Sequence, residues 1–241
     1  MLDKLQNVKT EMDINLPSEK VWNALIPKVM VGVVTYKGKK YCREEFEERA
    51  NKLTYENYII ETVNTTGYSG KSRDRITQGY NELLRRFFLT DCDYLFTLEA
   101  DVIPPRYIIE ALMSHHKDVI GAIYPIGSIK SRYPCAFTDK PFTVKNFKGE
   151  KLHVNLKAFE WTDIDGTVKL ARGGWGLGCV LIKREVLEIV NKFRYGQAHC
   201  DTYFHEDLRN NKIDAWVDTG IICKHHGTWE EWQEVIAKQD F

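Results

Sequence analysis

What most limits the fold of this chain is an alternation that runs from residue 29 to residue 125. Four short apolar runs recur there: Val29-Met30-Val31-Gly32-Val33-Val34, Tyr58-Ile59-Ile60-Glu61-Thr62-Val63, Tyr94-Leu95-Phe96-Thr97-Leu98 and Val119-Ile120-Gly121-Ala122-Ile123-Tyr124. Between them lie stretches with helical spacing. Cys42, Phe46, Ala50 and Leu53 form one stripe, and Ile76, Tyr80, Leu83, Leu84, Phe87 and Phe88 form a second. A run that is apolar on consecutive positions has no polar face, so it predicts a strand covered on both sides. The order β-α-β-α-β-α-β then predicts an α/β fold, with a mostly parallel central sheet flanked by helices.

The second half has a different texture and predicts a smaller antiparallel region. Residues 134–172 are polar and strand-prone, with turn signals at Lys148-Gly149 and Asp165-Gly166. Gly173-Gly174-Trp175-Gly176-Leu177-Gly178 leads into a strand at 179–182 and a helix at 183–192. "HEDLRNN" predicts a helix and residues 214–223 a strand. "KHHGTW" and a short amphipathic helix end the sequence. Residues 1–28 read as an arm with a short helical piece near 18–25. Nothing repeats and no Pro/Ser-rich linker divides the chain, so the expectation is a single domain over 1–241.

Composition removes several function classes. The 241 residues carry 34 basic and 34 acidic side chains, so the general basic excess that nucleic-acid binding needs is missing. No apolar run reaches membrane-spanning length, and the N-terminus lacks the apolar core of a signal peptide. The six cysteines are scattered with no CxxC pair, which predicts reduced, mostly buried thiols, no structural zinc and a cytoplasmic protein. Association with a membrane surface would fall to the 1–28 arm or to a partner.

The chemistry concentrates in "YLFTLEADVIPP", residues 94–105. Ligands of open α/β sheets bind at the carboxyl ends of strands, and here a buried strand ends in Glu99 and Asp101. In an extended chain, residues two apart point the same way, so both carboxylates can face one hard divalent cation such as Mg2+ or Mn2+. The competing reading is that the acids cap a helix begun by Pro104 and Pro105 in its first turn. Arg73 and Arg75, where a loop enters a helix, suit a diphosphate. The alternative there is a solvated first turn. Glu206 and Asp207 are adjacent acids, either able to act as a general base or simply opening a helix. His225 and His226 follow a strand, and only one of them can face a given side.

The order of these motifs resembles the GT-A fold glycosyltransferases, particularly the family-2-like inverting group, from about Val29 to Trp229. "VGVVTY" resembles the first strand and base-binding turn, "SRDRITQGYNELL" the segment in which an arginine opens a helix, and "DYLFTLEADVIPP" the DxD motif with Glu99 in the first position. "GGWGLGCVLIKREVL" resembles the glycine-rich acceptor loop, "HEDL" the ED motif and "KHHG" the H-x-G motif, which selects His225. The resemblance implies a nucleotide-sugar-binding half at 29–125 and an acceptor and catalytic half at 126–241. It implies Mn2+ or Mg2+ held by Asp101, His225 and Glu99, with donor contacts from Thr35, Asn64, Arg73, Arg75, Glu99, Asp101 and Trp175. Asp207, or alternatively Glu206, would be the base that activates the acceptor. The implied partners are a UDP- or GDP-sugar donor and a glycan or other hydroxyl acceptor. Two other readings stand beside it. A sugar-phosphate nucleotidyltransferase would need a glycine-rich phosphate loop where "TYKGKKYCREE" has one glycine. A non-catalytic carbohydrate-binding protein would have no use for both sets of acids.

Overall fold

The computed structural model describes residues 26–35, 48–128, 131–138, 142–145, 151–154 and 157–225. The arm up to residue 25, the turn at Lys148-Gly149, His226 and the C-terminal amphipathic segment lie outside them. In chain order the strands are β1 Val29–Thr35, β2 Tyr58–Asn64, β3 Tyr94–Glu99, β4 Val102–Ile103, β5 Val119–Ile123, β6 Pro125–Ser128, β7 Ser131–Pro134 and β8 Ala136–Thr138. They continue as β9 Phe142–Lys145, β10 Lys151–Val154, β11 Lys157–Ala158, β12 Val168–Leu170, β13 Gly174–Trp175, β14 Cys179–Lys183, β15 Trp216–Ile222 and β16 Lys224–His225. The helices that matter for the site are α1 Ser72–Phe88, α2 Ile108–Ser114, α3 Arg184–Val190 and α4 Cys200–Asn210.

Seven strands make the central sheet, in the order β12-β15-β5-β14-β3-β1-β2. β1 pairs in parallel with β2 and β3, and β5 in parallel with β15. β14 lies between β3 and β5 and runs antiparallel to both. The chain reaches β14 from the carboxyl ends of its neighbours, after the excursion of β6–β13, and so must run down between them. A run such as Cys179-Val180-Leu181-Ile182 is equally apolar in either direction, which is why the sequence shows the strand and not its polarity. The four predicted runs are strands, and β1, β3 and β5 are buried almost throughout.

α1 carries its buried stripe, Tyr80, Leu83, Leu84 and Phe87, onto β1 and β2. Its approach is close because Gly79 has no side chain. A β-carbon there would stand 2.6 Å from Val34 and 2.7 Å from Thr65. That contact sets the N-terminus of α1 beside the carboxyl ends of the strands. Phe88, counted in the stripe from spacing, is exposed at the helix end.

The two prolines do not start a helix. Val102 and Ile103 form β4, which pairs antiparallel with β16, and α2 begins only at Ile108. Asp101 is therefore not that helix's N-cap, a position held by Tyr107. The buried side chains form one continuous core, in which all five described cysteines are buried free thiols. Among the described residues no helix is long and apolar enough to cross a membrane.

Candidate metal and nucleotide site

Strand register brings the first part of the site together. Val34 of β1 is opposite Glu99 of β3, and Thr35 is opposite Asn64 of β2, so three strands end in one row. A cavity of about 140 Å³ opens there. Thr35, Thr65, Ser72, Arg75, Tyr80, Glu99 and Asp101 contribute to its lining. Ser72 is the first residue of α1, so this 17-residue helix directs its N-terminal N–H groups and the positive end of its dipole toward the cavity. Asp74 Oδ2 accepts a 3.0 Å hydrogen bond from the Lys71 N–H and fixes the turn that leads in.

The second part comes from the far end of the chain. His225 pairs with Val102 across β4 and β16, which sets its imidazole beside Asp101. Glu99, Asp101 and His225 each offer a ligand atom, and the three atoms lie within 4.8 Å of one another. His225 Nδ1 is 2.7 Å from the Pro125 carbonyl oxygen. A carbonyl only accepts, so Nδ1 carries the proton and Nε2 faces Asp101 Oδ2 at 3.6 Å. A histidine held through one nitrogen by a backbone carbonyl, with the other aimed at a carboxylate, has the second-shell arrangement of a metal ligand. Burial pulls the His225 pKa down, but the hydrogen bond and charge of Asp101 outweigh it, and the net shift is upward. A cation is favoured at this point, and Asp101 is only 7% exposed. Two carboxylates and one imidazole fit Mn2+ or Mg2+ as a donor set.

The glycine-rich loop packs against Glu99 and is pinned in place. The Gly178 N–H donates to Tyr124 Oη at 3.0 Å, the Glu99 N–H donates to the Gly178 carbonyl at 3.0 Å, and Tyr80 Oη donates to the Leu177 carbonyl at 3.3 Å. A β-carbon on Gly178 would meet Glu99 Oε2 at 3.1 Å. Burial raises the Tyr124 pKa, and Glu99 raises it further. Both phenols therefore stay protonated.

Several expected contacts fall elsewhere. Trp175 is 2% exposed, its indole packed over Gly121 and against His205, so its face is closed to a sugar. Of the two arginines, Arg75 lines the cavity, with Nη1 donating to the Gly70 carbonyl at 2.7 Å. Arg73 Nη1 donates to the Gln197 carbonyl at 2.7 Å, tying α1 to the loop before α4. Asn64 Oδ1 accepts from the Thr66 N–H at 2.9 Å and turns the chain, while buried Thr65 takes the place in the cavity. Glu206 and Asp207 lie on the second half of α4 and clamp Arg194. Nη2 reaches Glu206 Oε2 at 2.6 Å and Nε reaches Asp207 Oδ2 at 3.0 Å, and neither acid lines the cavity.

A third acid, Asp201, sits in the first turn of α4, just after the loop that Arg73 of α1 holds through the Gln197 carbonyl, although it too is not part of the cavity lining. The surroundings of Tyr80 include the charges of Glu99, Asp201 and Asp101. Burial raises the Asp201 pKa against the pull of the Thr202 N–H, which donates to Oδ1 at 2.6 Å. The sequence held a signal for it. Cys200, Phe204 and Leu208 recur every four residues and begin the helix at Cys200, five positions before "HEDL".

No protein-family model matches the sequence, and no curated protein matches it. Among solved structures, A197 from STIV aligns with a TM-score of 0.52 and 17% identity, covering 82% of this chain and 85% of that one. GalNAc-T7 with UDP, GalNAc and Mn2+ aligns at 0.55 and 9% identity, over 85% of this chain and 44% of that one. The mannosyltransferase PcManGT from Pyrobaculum calidifontis, in complex with GDP-Man and Mn2+, aligns at 0.53 and 12% identity, over 86% of this chain and 60% of that one. The chain thus spans about half the length of the two transferases, and at these identities the likeness is one of fold: a mixed seven-stranded sheet between helices, the GT-A glycosyltransferase architecture.

Proposed function

We propose that this protein is a divalent-metal-dependent glycosyltransferase that moves a sugar from a nucleotide sugar to an acceptor hydroxyl with inversion at the anomeric carbon. One observation carries the reading: Glu99, Asp101 and His225 converge at the carboxyl end of β3, on the edge of a cavity into which a helix N-terminus and Arg75 also point. The fold neighbours solved with UDP or GDP-Man and Mn2+ add support.

Asp101, His225 and Glu99 would hold the metal ion, which when bound supplies charge neutralisation to the leaving diphosphate. Arg75 and the N–H groups of α1 add to the same stabilisation, acting where charge develops on the leaving oxygen. Thr35 and Thr65 border the nucleoside end, and the pinned 173–178 loop shields Glu99 from water. We assign the base to Asp201 in place of Asp207 or Glu206. As the acceptor oxygen bonds to the anomeric carbon, the bond to the diphosphate breaks and the hydroxyl proton passes to the Asp201 carboxylate. A carboxyl raised by burial is a stronger base at neutral pH than an ordinary one.

The test is a thermal-shift screen of UDP- and GDP-sugars with and without Mn2+, followed by transfer assays. A stabilising nucleotide sugar that acts only with Mn2+, and loses its effect in Asp101→Ala, is the expected result. Metal-dependent stabilisation that survives Asp101→Ala would overturn the metal assignment. Release of pyrophosphate from a nucleoside triphosphate would point instead to nucleotidyl transfer.

A further inference from the structure

A second cleft, of about 250 Å³, lies between the C-terminal half of α4 and the start of β15. Ala215, which borders it, immediately precedes β15, and β15 runs parallel to β5, so the cleft sits at the amino end of the sheet, opposite the metal cluster. Among the described residues Arg172, Arg209 and Lys212 line it with a single carboxylate, Asp214. His205, 3% exposed, forms part of its floor.

We propose that this cleft binds a small organic phosphate. Three observations carry the inference. The first is the cation set. Arg209 Nη1 donates to the Arg172 carbonyl at 3.0 Å, which orients its guanidinium before any ligand arrives. A planar fork held in this way suits a phosphoryl group.

The second is the backbone of Lys212. Its φ is +58°, in the left-handed region, at the residue that closes the C-terminus of α4. The Lys212 N–H donates to the Arg209 carbonyl at 3.0 Å and the Ile213 N–H to the Leu208 carbonyl at 2.9 Å. Glycine is the residue that such a helix end favours. A lysine accepts a conformational cost there and places an ammonium on the cleft, and among the described residues no ion pair engages it. The third is the floor. His205 Nδ1 is buried with no hydrogen-bond partner, an expensive state that a ligand hydroxyl donating to it relieves. The apolar walls from Leu208 and Ile213 leave room for a short carbon skeleton, while the volume is too small for a polymer.

The proposal does not rest on the glycosyltransferase reading. Titration calorimetry and thermal shift on the full chain, in EDTA and at low salt, would use glycerol 3-phosphate, inorganic phosphate and glycerol. EDTA keeps the metal cluster out of the measurement. Glycerol 3-phosphate should stabilise the protein and glycerol should not. Lys212→Gly should weaken binding roughly tenfold, the loss of one charge-assisted contact. It should not lower the melting temperature of the free protein, since glycine suits that backbone. Arg172→Gln should weaken binding in the same direction, and Arg75→Gln, at the other end of the sheet, should leave it unchanged. No stabilisation of the wild type, full binding by Lys212→Gly, or loss in Arg75→Gln would each overturn the proposal. A response to inorganic phosphate equal to that of glycerol 3-phosphate would remove the organic part of the ligand.

Discussion

Acid should loosen this protein through one imidazole. His205 Nε2 lies 3.0 Å from the Trp175 nitrogen and 2.8 Å from the Trp175 oxygen, and one ring nitrogen can serve only one of them at a time. Its Nδ1 is buried without a partner, so a second proton would put an unshared N–H and a full charge in the core. Burial, with Arg209 adding repulsion, lowers the His205 pKa from 6.5 to about 4. The unfolded chain binds a proton near the ordinary value and the folded chain does not. The contribution is therefore fully present above about pH 6.5 and is lost as pH falls toward about 4. The difference between the two states corresponds to roughly 3 kcal/mol, most of which is gone by about pH 4.5. Urea unfolding at about pH 7 and about pH 4.5, on the wild type and on His205→Gln, isolates this group, because every other titration is common to both. The wild type should lose roughly 2–3 kcal/mol more than the variant. Parallel losses, or a His205 ring resonance that titrates near its ordinary value, would refute the reasoning. Trp175 fluorescence gives an independent reading, since its ring centroid is 4.6 Å from that of His205.

Three further outcomes follow from the geometry. Arg75→Gln should weaken binding of a nucleoside diphosphate roughly tenfold or more, the value of one charge-assisted contact, whereas Arg73→Gln should act mainly through stability; calorimetry beside a melting curve separates them. Gly79→Ala should destabilise the fold by about 1–3 kcal/mol, because the added carbon presses on Val34 and Thr65, and a denaturation midpoint equal to that of the wild type would contradict the packing. Asp201→Asn should abolish transfer while leaving metal and nucleotide binding intact, whereas Asp207→Asn should keep turnover and lose only its link to Arg194. The opposite pattern would restore Asp207 as the base.

The parts of the fold legible in the sequence are those where one segment determines its own state. β1, β3 and β5 are apolar on consecutive positions because both their faces are covered, and α1 shows its stripe because one face meets β1 and β2. The polarity of β14 was hidden, since an apolar run has no direction. The site divides in the same way. Glu99 and Asp101 announce themselves at the end of a strand, but which arginine faces them depends on how α1 is rotated, and Gly79 sets that rotation through contacts with Val34 and Thr65. Trp175 is hidden for a related reason. The glycines on both sides of it say nothing of Gly121 on another strand, which supplies the space into which the indole packs.

His225 shows how a ligand can be chosen by structure that no local pattern reports. In an extended chain two adjacent histidines would face opposite sides, and nothing in the sequence between residues 221 and 229 says which side holds the acids. The choice is made by β4, two residues that a reader of "DVIPP" would assign to the start of a helix. Because Val102 and Ile103 are extended, they take β16 as an antiparallel partner, and the register sets His225 against Val102, one residue from Asp101. The prolines that follow keep the chain from turning helical too early, since the residue before a proline is biased to extended backbone. The Pro125 carbonyl then accepts the hydrogen bond from Nδ1–H and leaves Nε2 toward the carboxylate. A helix begun at Val102 would leave β16 without that partner and His225 without its place. The prolines thus serve the candidate metal cluster by delaying α2, and the acids, the strand end and the distant histidine form one device whose parts are joined by a two-residue ladder.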